Sequence, residues 1–171
     1  MKGVFVLDAA ALLSNWTQRN PDSKFVTTQG ILDELRNRPS RERAERLILI
    51  GRMRIADSDP DSVRAVGLAA SKLGDLQVLS DNDVSLLAVA LNIRSAEKTV
   101  SVVSSDLSVL NTATALGFGI IDLTTKMRRQ ITWVLRCPAC GHNEQQGSKE
   151  SECPVCGTKL TRRHKKSKRI V

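Results

Sequence analysis

The sequence predicts an α/β fold: a central, mainly parallel sheet flanked by helices over residues 1–125, followed by a small cysteine-stapled module. Three observations carry this. Short β-branched apolar runs alternate with stretches of helical periodicity, the pattern of a parallel sheet buried on both faces. All four cysteines lie in one stretch near the C-terminus. The formal charge of +8 is segregated, with 14 Lys and Arg against 15 Asp and Glu in residues 1–125, and 12 against 3 in residues 126–171.

The elements follow in order. "GVFVLD" is the first strand and ends at Asp8. The apolar start "MKGVFVLDAAALL" has the outline of a secretion signal, but Asp8 interrupts it and no polar cleavage region follows, so it is a structural segment. A helix over 9–15 leads to the second strand, "KFVTT". In the next helix, "QGILDEL", about 100° per residue gathers Ile31, Leu32 and Leu35 into one stripe, turns Asp33 toward water and leaves Glu34 on the border. Helices over 40–51 and 62–73 precede one over 81–92, whose buried face centres on Val84, Leu87 and Leu91. Asp83 shares that side and Asp81 does not; Ser80 and Asp83 are also spaced as a capping box, with Asp in place of Glu or Gln. "TVSVVSSD" is the third strand and ends at Asp106, a helix over 107–116 is closed by Gly117, and "FGIIDL" is the fourth.

Residues 126–136 read as a basic linker and 159–171 as a basic tail, disordered when free. Between them, over 137–158, stand Cys137, Cys140, Cys153 and Cys156 as two C-x-x-C pairs, each backed by a glycine that permits the tight turn. Two such knuckles close a tetrahedral four-thiolate site, with Zn²⁺ as the structural ion. The same spacing admits one iron, and two disulfides are disfavoured in a reducing cytosol. Four thiolates complete the shell, which leaves His142 a bystander. So much positive charge in one module points to a polyanion. Phe5, Phe25, Phe118, Trp16 and Trp133 are the only aromatics, so nucleic-acid binding should rest on charge and backbone shape more than on stacking.

Asp8 and Asp106 each have an ordinary use as a helix N-cap. Together, at the carboxyl ends of parallel strands, they face the crevice where such sheets bind ligands. Glu34 and Asp83 can join them. Four bare carboxylates would repel one another, and Mg²⁺ or Mn²⁺ would offset that repulsion. An acidic metal pocket beside a basic arm suggests phosphodiester hydrolysis by a metal-activated water. No competing nucleophile and base are on offer, since both histidines lie in the C-terminal module and the cysteines are committed. A GxxxxGKS/T phosphate loop is absent.

The strand ending in Asp8, the helix carrying Glu34, "SDND" with Asp83, and "SSD" with Asp106 resemble the four acidic positions of PIN-domain ribonucleases, and Ser104 matches the small hydroxyl residue two before the last acid. With the cysteine ribbon and basic tail, the whole chain resembles the archaeal Nob-type endonuclease. The resemblance implies a PIN-like nuclease domain over 1–125, catalysis by Asp8, Glu34, Asp83, Asp106 and Ser104, and a Mn²⁺- or Mg²⁺-dependent cut in precursor 16S rRNA at its 3′ end, leaving a 3′-hydroxyl and a 5′-phosphate. It implies an assembling small ribosomal subunit and a KH-domain assembly factor as partners, and a cytoplasmic location, in keeping with the lack of any stretch of transmembrane length. One departure stands out: Ser105-Asp106-Leu107 occupies a motif where the family has two adjacent aspartates and then Tyr, so an auxiliary acid is missing. Asn111 matches a polar position one turn further on.

Arg36, Arg38, Arg128, Arg129, Arg162, Arg163, Lys165 and Lys166 are the expected RNA contacts, whereas Arg41, Arg43 and Arg46, interspersed with Glu42 and Glu45, read as a solvated helix laced by intrahelical pairs. Two other functions fit parts of the pattern: a VapC-like PIN toxin, which would lack the cysteine module, and a noncatalytic rRNA-binding assembly factor whose acids only cap helices.

Overall fold

The computed structural model describes residues 3–94, 99–144 and 151–170. Five parallel strands form the main sheet: β1 (Val4–Leu7), β2 (Lys24–Thr27), β3 (Met53–Ile55), β4 (Val100–Ser104) and β5 (Gly119–Asp122), in the spatial order β3-β2-β1-β4-β5. The chain moves outward from β1 to β3, then returns to pair β4 on the other side of β1. The order therefore reverses between β1 and β4, and Leu7 sits opposite Val103 in that central pair. A crevice opens at such a switch point, beyond the carboxyl ends of the two strands. The next residue after β1 is Asp8, and Asp106 follows β4 by two.

Helices α1 (Ala9–Leu13), α2 (Trp16–Arg19), α3 (Gln29–Asp33), α4 (Arg38–Leu49), α5 (Pro60–Leu73), α6 (Asp81–Arg94) and α7 (Leu107–Ala115) cover the sheet. Val6, Leu7, Val26, Val102 and Val103 are fully enclosed, as the near-continuous apolar strands require. In α6 five successive residues, Leu86 to Ala90, are buried. This helix has no solvent stripe at its middle, because β1 and β4, α5, α3 and α7 all pack around it. Of the expected face, Leu87 is buried while Val84 and Leu91 are half-buried against the core, and the fully buried surface centres instead on Leu86 to Ala90 and Ile93.

Two elements depart from sequence expectation within this layer. β3 carries Arg54 and an exposed Ile55 on an edge, so only Met53 gives an apolar signal. α2 is a single turn, held at its end by Asn20 Nδ2 donating to the Trp16 carbonyl.

A larger departure concerns the C-terminal segments. The expected linker forms β6 (Arg129–Arg136), and the expected disordered tail forms β7 (Thr161–Arg169); they pair antiparallel, with a bulge between Thr132 and Trp133. A run of like charge need not repel itself apart when alternate residues of a strand point to opposite faces. Here, moreover, the partner strand supplies Ile131, Trp133 and Leu135. The cysteine module grows from the open end of this ribbon, where Leu135 and Leu160 pack on Cys137 and Cys153. Residues 145–150, between the two knuckles, lie outside the described residues.

The ribbon is docked on the sheet domain. Asn111 of α7 donates Nδ2 to the carbonyl of Ile131 at 2.7 Å, and its Oδ1 accepts the Ile131 amide at 2.8 Å. Asp75, fully enclosed just after α5, accepts Asn111 Nδ2 at 2.6 Å and pairs with Arg162 of β7. Arg162 also lies over the Trp133 ring, 4.3 Å from its centroid. Ordering of the tail thus has a specific cause: one of its arginines finds a buried carboxylate.

Candidate functional site

Asp8 is 8% exposed, at the end of an enclosed strand. Its Oδ1 accepts the Ala9 amide at 2.6 Å, capping α1, and its Oδ2 accepts the Ser104 hydroxyl at 2.5 Å. The same Ser104 Oγ accepts the Asp106 amide at 2.9 Å. One buried hydroxyl therefore ties the ends of β1 and β4 together and fixes both aspartates. Asp106 in turn accepts the Ser108 and Val109 amides, capping α7. Capping and site-building are not rival uses here: a cap occupies lone pairs on one side of a carboxylate and leaves the others facing the crevice.

Glu34 and Asp83 come from the opposite wall. α3 is short; Thr28 caps its start through Ile31 N, and Glu34 is the residue that ends it, with φ −72° and ψ −18°. Asn82 Nδ2 donates to Glu34 Oε1 at 2.7 Å. Asn82 fits because residue 30 is glycine, since a Cβ there would lie 2.2 Å from Asn82 Oδ1. Asp83 completes the anticipated capping box: its Oδ2 accepts both the amide and the hydroxyl of Ser80 at 2.8 Å, and its own amide donates to Ser80 Oγ at 3.1 Å. Asp33 turns outward and accepts from Gln29, as a solvated helix charge should.

The four acids feel one another. Burial pushes the Asp8 carboxyl above its ordinary value, against the bonds from Ser104 and Ala9, and the charges of Asp83 and Glu34 push it further. Asp83 is raised in the same way, first by burial and then by Asp106 and Glu34, against the pull of Ser80. Among the described residues, however, no three carboxylates bring oxygens within 4.8 Å of one another; only the four cysteine sulfurs do so. The acids thus share one pocket's excess negative charge without closing on a single point. That suits a divalent cation which keeps several waters, as Mg²⁺ does, better than a fully dehydrated one.

At the cysteines the geometry is close-set. Cys137 Sγ lies 3.4 Å from Cys156 Sγ, and Cys140 Sγ lies 3.5 Å from Cys153 Sγ. All four cysteines are free. Zn–S bonds of about 2.3 Å set tetrahedral sulfurs about 3.8 Å apart, so little movement would be needed to hold an ion. Gly141 and Gly157 have positive φ, 77° and 71°, as the turn behind each knuckle requires. The hydroxyl and amide of Thr158 hold the Cys156 thiol down to about 6, whereas Cys140, against a lowering bond from His142, is pushed up to about 12 by burial and the neighbouring sulfurs. His142 pairs with Glu144 at 3.4 Å and stands outside the four-sulfur group.

The arginines divide differently from expectation. Arg36 is exposed and lines an open cleft of about 570 Å³ with Gly30, Asp33, Glu34 and Asn82. Arg38 instead pairs with Glu42 at 2.7 Å, one turn along α4, although its side chain is 90% exposed. Arg41 and Arg43, expected to be solvated, donate to backbone carbonyls: Arg41 to Leu35, and Arg43 to Leu12 and Ser14. Arg162 serves the Asp75 contact, whereas Arg128, Arg129, Arg163, Lys165 and Lys166 remain on the surface of the ribbon.

Residues 5–93 match the family described as the PIN domain of ribonuclease. The chain is 30% identical over 169 residues to endoribonuclease Nob1 of Pyrococcus abyssi, covering 98% of this chain and 99% of that protein. It is 31% identical over 170 residues to endoribonuclease Nob1 of Archaeoglobus fulgidus, covering 96% and 94%. Ribonuclease VapC1 of Thermoplasma acidophilum is 27% identical over 170 residues, covering 98% of this chain and 82% of that relative. The family match runs from β1 into α6 and includes Asp8, Glu34 and Asp83; the longer similarities continue into the ribbon.

Proposed function

Because this chain belongs to the PIN-domain ribonucleases, and within them to the archaeal Nob1 endoribonucleases, we propose that it cuts precursor 16S rRNA at its 3′ end during maturation of the small ribosomal subunit. One observation carries the assignment of the active site: Ser104 joins Asp8 to Asp106 at the switch point of the sheet, and the charges of Glu34 and Asp83 reach the same pocket.

A Mn²⁺ or Mg²⁺ ion held by Asp8, Glu34, Asp83 and Asp106 would supply the positive charge that activates a water and steadies the leaving oxygen. The chain's own contributions are positional. Ser104 fixes the Asp8 carboxylate and the Asp106 backbone, the Ser108 and Val109 amides hold the Asp106 carboxylate, and Asn82 holds Glu34. Arg36 lines the cleft beside Glu34, where it can grip a phosphate that the acids alone would repel. Asp106 serves without the second, adjacent aspartate that the family motif contains, and Ser105 in that place offers only a hydroxyl. Zn²⁺ is the ion the cysteines fit as a structural staple.

The ribosome-bound role brings with it a cytoplasmic location and, through the family resemblance, a KH-domain assembly partner. No helix among the described residues is long and apolar enough to cross a membrane. The VapC reading has one observation in its favour, since a relative of that name aligns through the cysteine module, which therefore does not separate the two.

A single assay addresses both: incubate RNA spanning the 3′ end of precursor 16S rRNA with Mn²⁺ and either the wild type or Asp8→Asn. Cleavage at one position by the wild type, reduced at least about 100-fold in the variant, is expected from loss of a charged metal ligand. Equal cutting by both proteins would overturn the site. Equal cutting of unrelated single-stranded RNA by the wild type would favour the VapC reading.

A further inference from the structure

We propose that the groove between the start of α7 and the start of β6 binds backbone phosphates of the RNA strand on one side of the scissile bond, a proposal that rests on the nuclease reading above. The groove has a volume of about 470 Å³. Leu107 and Ser108 form one wall; Lys126, Arg128 and Arg129 form the other, with Trp133 also lining it. Leu107, the residue after Asp106, lines it, so the groove lies next to the Asp106 end of the acidic pocket, where a strand bound at that aspartate can reach it.

The structure holds these cations in place while neutralising a neighbour. Asp122 Oδ2 accepts the Lys126 and Met127 amides at 2.8 and 2.7 Å, and its Oδ1 accepts the Thr124 amide and hydroxyl. This fixes the turn that presents Lys126. The Asn111–Ile131 pair sets β6 against α7, and Asp75 takes up the charge of Arg162. Among the described residues, Lys126, Arg128 and Arg129 make no ion pair. Three cations without an ion pair next to Asp106 are what a polyanion needs if it is to approach the acidic pocket at all. A helix N-terminus does not supply the binding, because Asp106 already occupies the Ser108 and Val109 amides. Nor does stacking on Trp133, whose ring is faced by Arg162 and met edge-on by His164. The groove therefore reads backbone charge and contributes no base preference.

The test uses the full chain carrying Asp8→Asn and a fluorescent single-stranded RNA spanning the cut site, with binding followed by anisotropy across a salt series. Three phosphate contacts on a single strand contribute a log–log salt slope of about 2. Lys126→Ala/Arg128→Ala/Arg129→Ala should lose about that much slope, and the same chain with lysine in place of both arginines and Lys126 retained should keep it. Single uncharged methylphosphonates beside the cut bond should weaken binding of the parent protein and leave binding of the triple variant unchanged. An unaltered slope in the triple variant, or equal sensitivity of both proteins to those substitutions, would overturn the groove. The two readings fail separately: absence of cleavage by the active chain overturns the nuclease assignment, while the slopes report on the groove either way.

Discussion

At the scale of single residues, the site depends as much on what positions the acids as on the acids themselves. Glu34 ends a five-residue helix on an exposed surface, where its carboxylate would be free to rotate were it not for Asn82. Gly30→Ala places a methyl group where Asn82 Oδ1 stands, so Asn82 must withdraw. On the proposed assignment, Gly30→Ala and Asn82→Ala should each raise the Mn²⁺ concentration needed for half-maximal cleavage by about 10-fold, the cost typical of losing a residue that orients a metal ligand. Combining them should add little, because both remove one contact; additive losses would show that Gly30 acts elsewhere. Asp8 and Asp106 were legible in the sequence because each closes an apolar strand, and the order of strands then brings them together. Asn82 was not legible, since a hydrogen bond between residues 48 positions apart has no periodic signature. The same holds for Arg41 and Arg43, whose spacing to Glu42 and Glu45 suggested intrahelical pairs. Only the fold reveals the unsatisfied carbonyls of Leu35, Leu12 and Ser14 that claim them.

At the scale of elements, the sequence carried the α/β alternation of four strands and six helices, because enclosed parallel strands and amphipathic helices have distinct periodicities. It concealed β3, whose one buried residue stands among arginines, and it concealed the ribbon, where composition suggested disorder. The turn between β5 and β6 decides how that ribbon starts. Burial alone would raise the Asp122 carboxyl, but the amides of Met127, Thr124 and Lys126 with the Thr124 hydroxyl outweigh it and hold it below the ordinary value. A carboxyl lower in the folded than in the unfolded state adds stability above its unfolded pKa, and that contribution vanishes as pH falls through the folded value. Asp122→Asn should therefore lower stability at neutral pH by on the order of 1 kcal/mol, comparable to loss of a helix cap. The difference in Tm between wild type and variant should shrink as pH falls below about 4; a constant gap down to acid pH would show that shape, not charge, is what Asp122 supplies.

At the scale of the whole molecule, the question is what makes an acidic pocket and a basic ribbon one instrument. Charge segregation in the sequence pointed to two modules joined by a linker, and no sequence pattern marks Asp75 as the residue that joins them. Asp75 is the enclosed carboxylate at the seam, with Asn111 on one side and Arg162 on the other. Removing one partner of a buried ion pair strands the other, at a cost of about 3–5 kcal/mol. Asp75→Ala should therefore release the ribbon from the sheet domain, seen as faster amide exchange at Ile131 and along 161–169. Exchange in β1 and β4, which the latch does not touch, should stay slow. Replacing both partners, Asp75→Leu with Arg162→Met, should recover most of the loss, since two apolar side chains can fill such a seam without an unpaired charge. If the double variant is as loose as Asp75→Ala, docking depends on the Asn111 contacts and not on the ion pair. Cleavage gives a second readout of the same device: a released ribbon keeps its charges but loses their alignment with Asp106, so Asp75→Ala should cut more slowly even where RNA binding at low salt is undiminished.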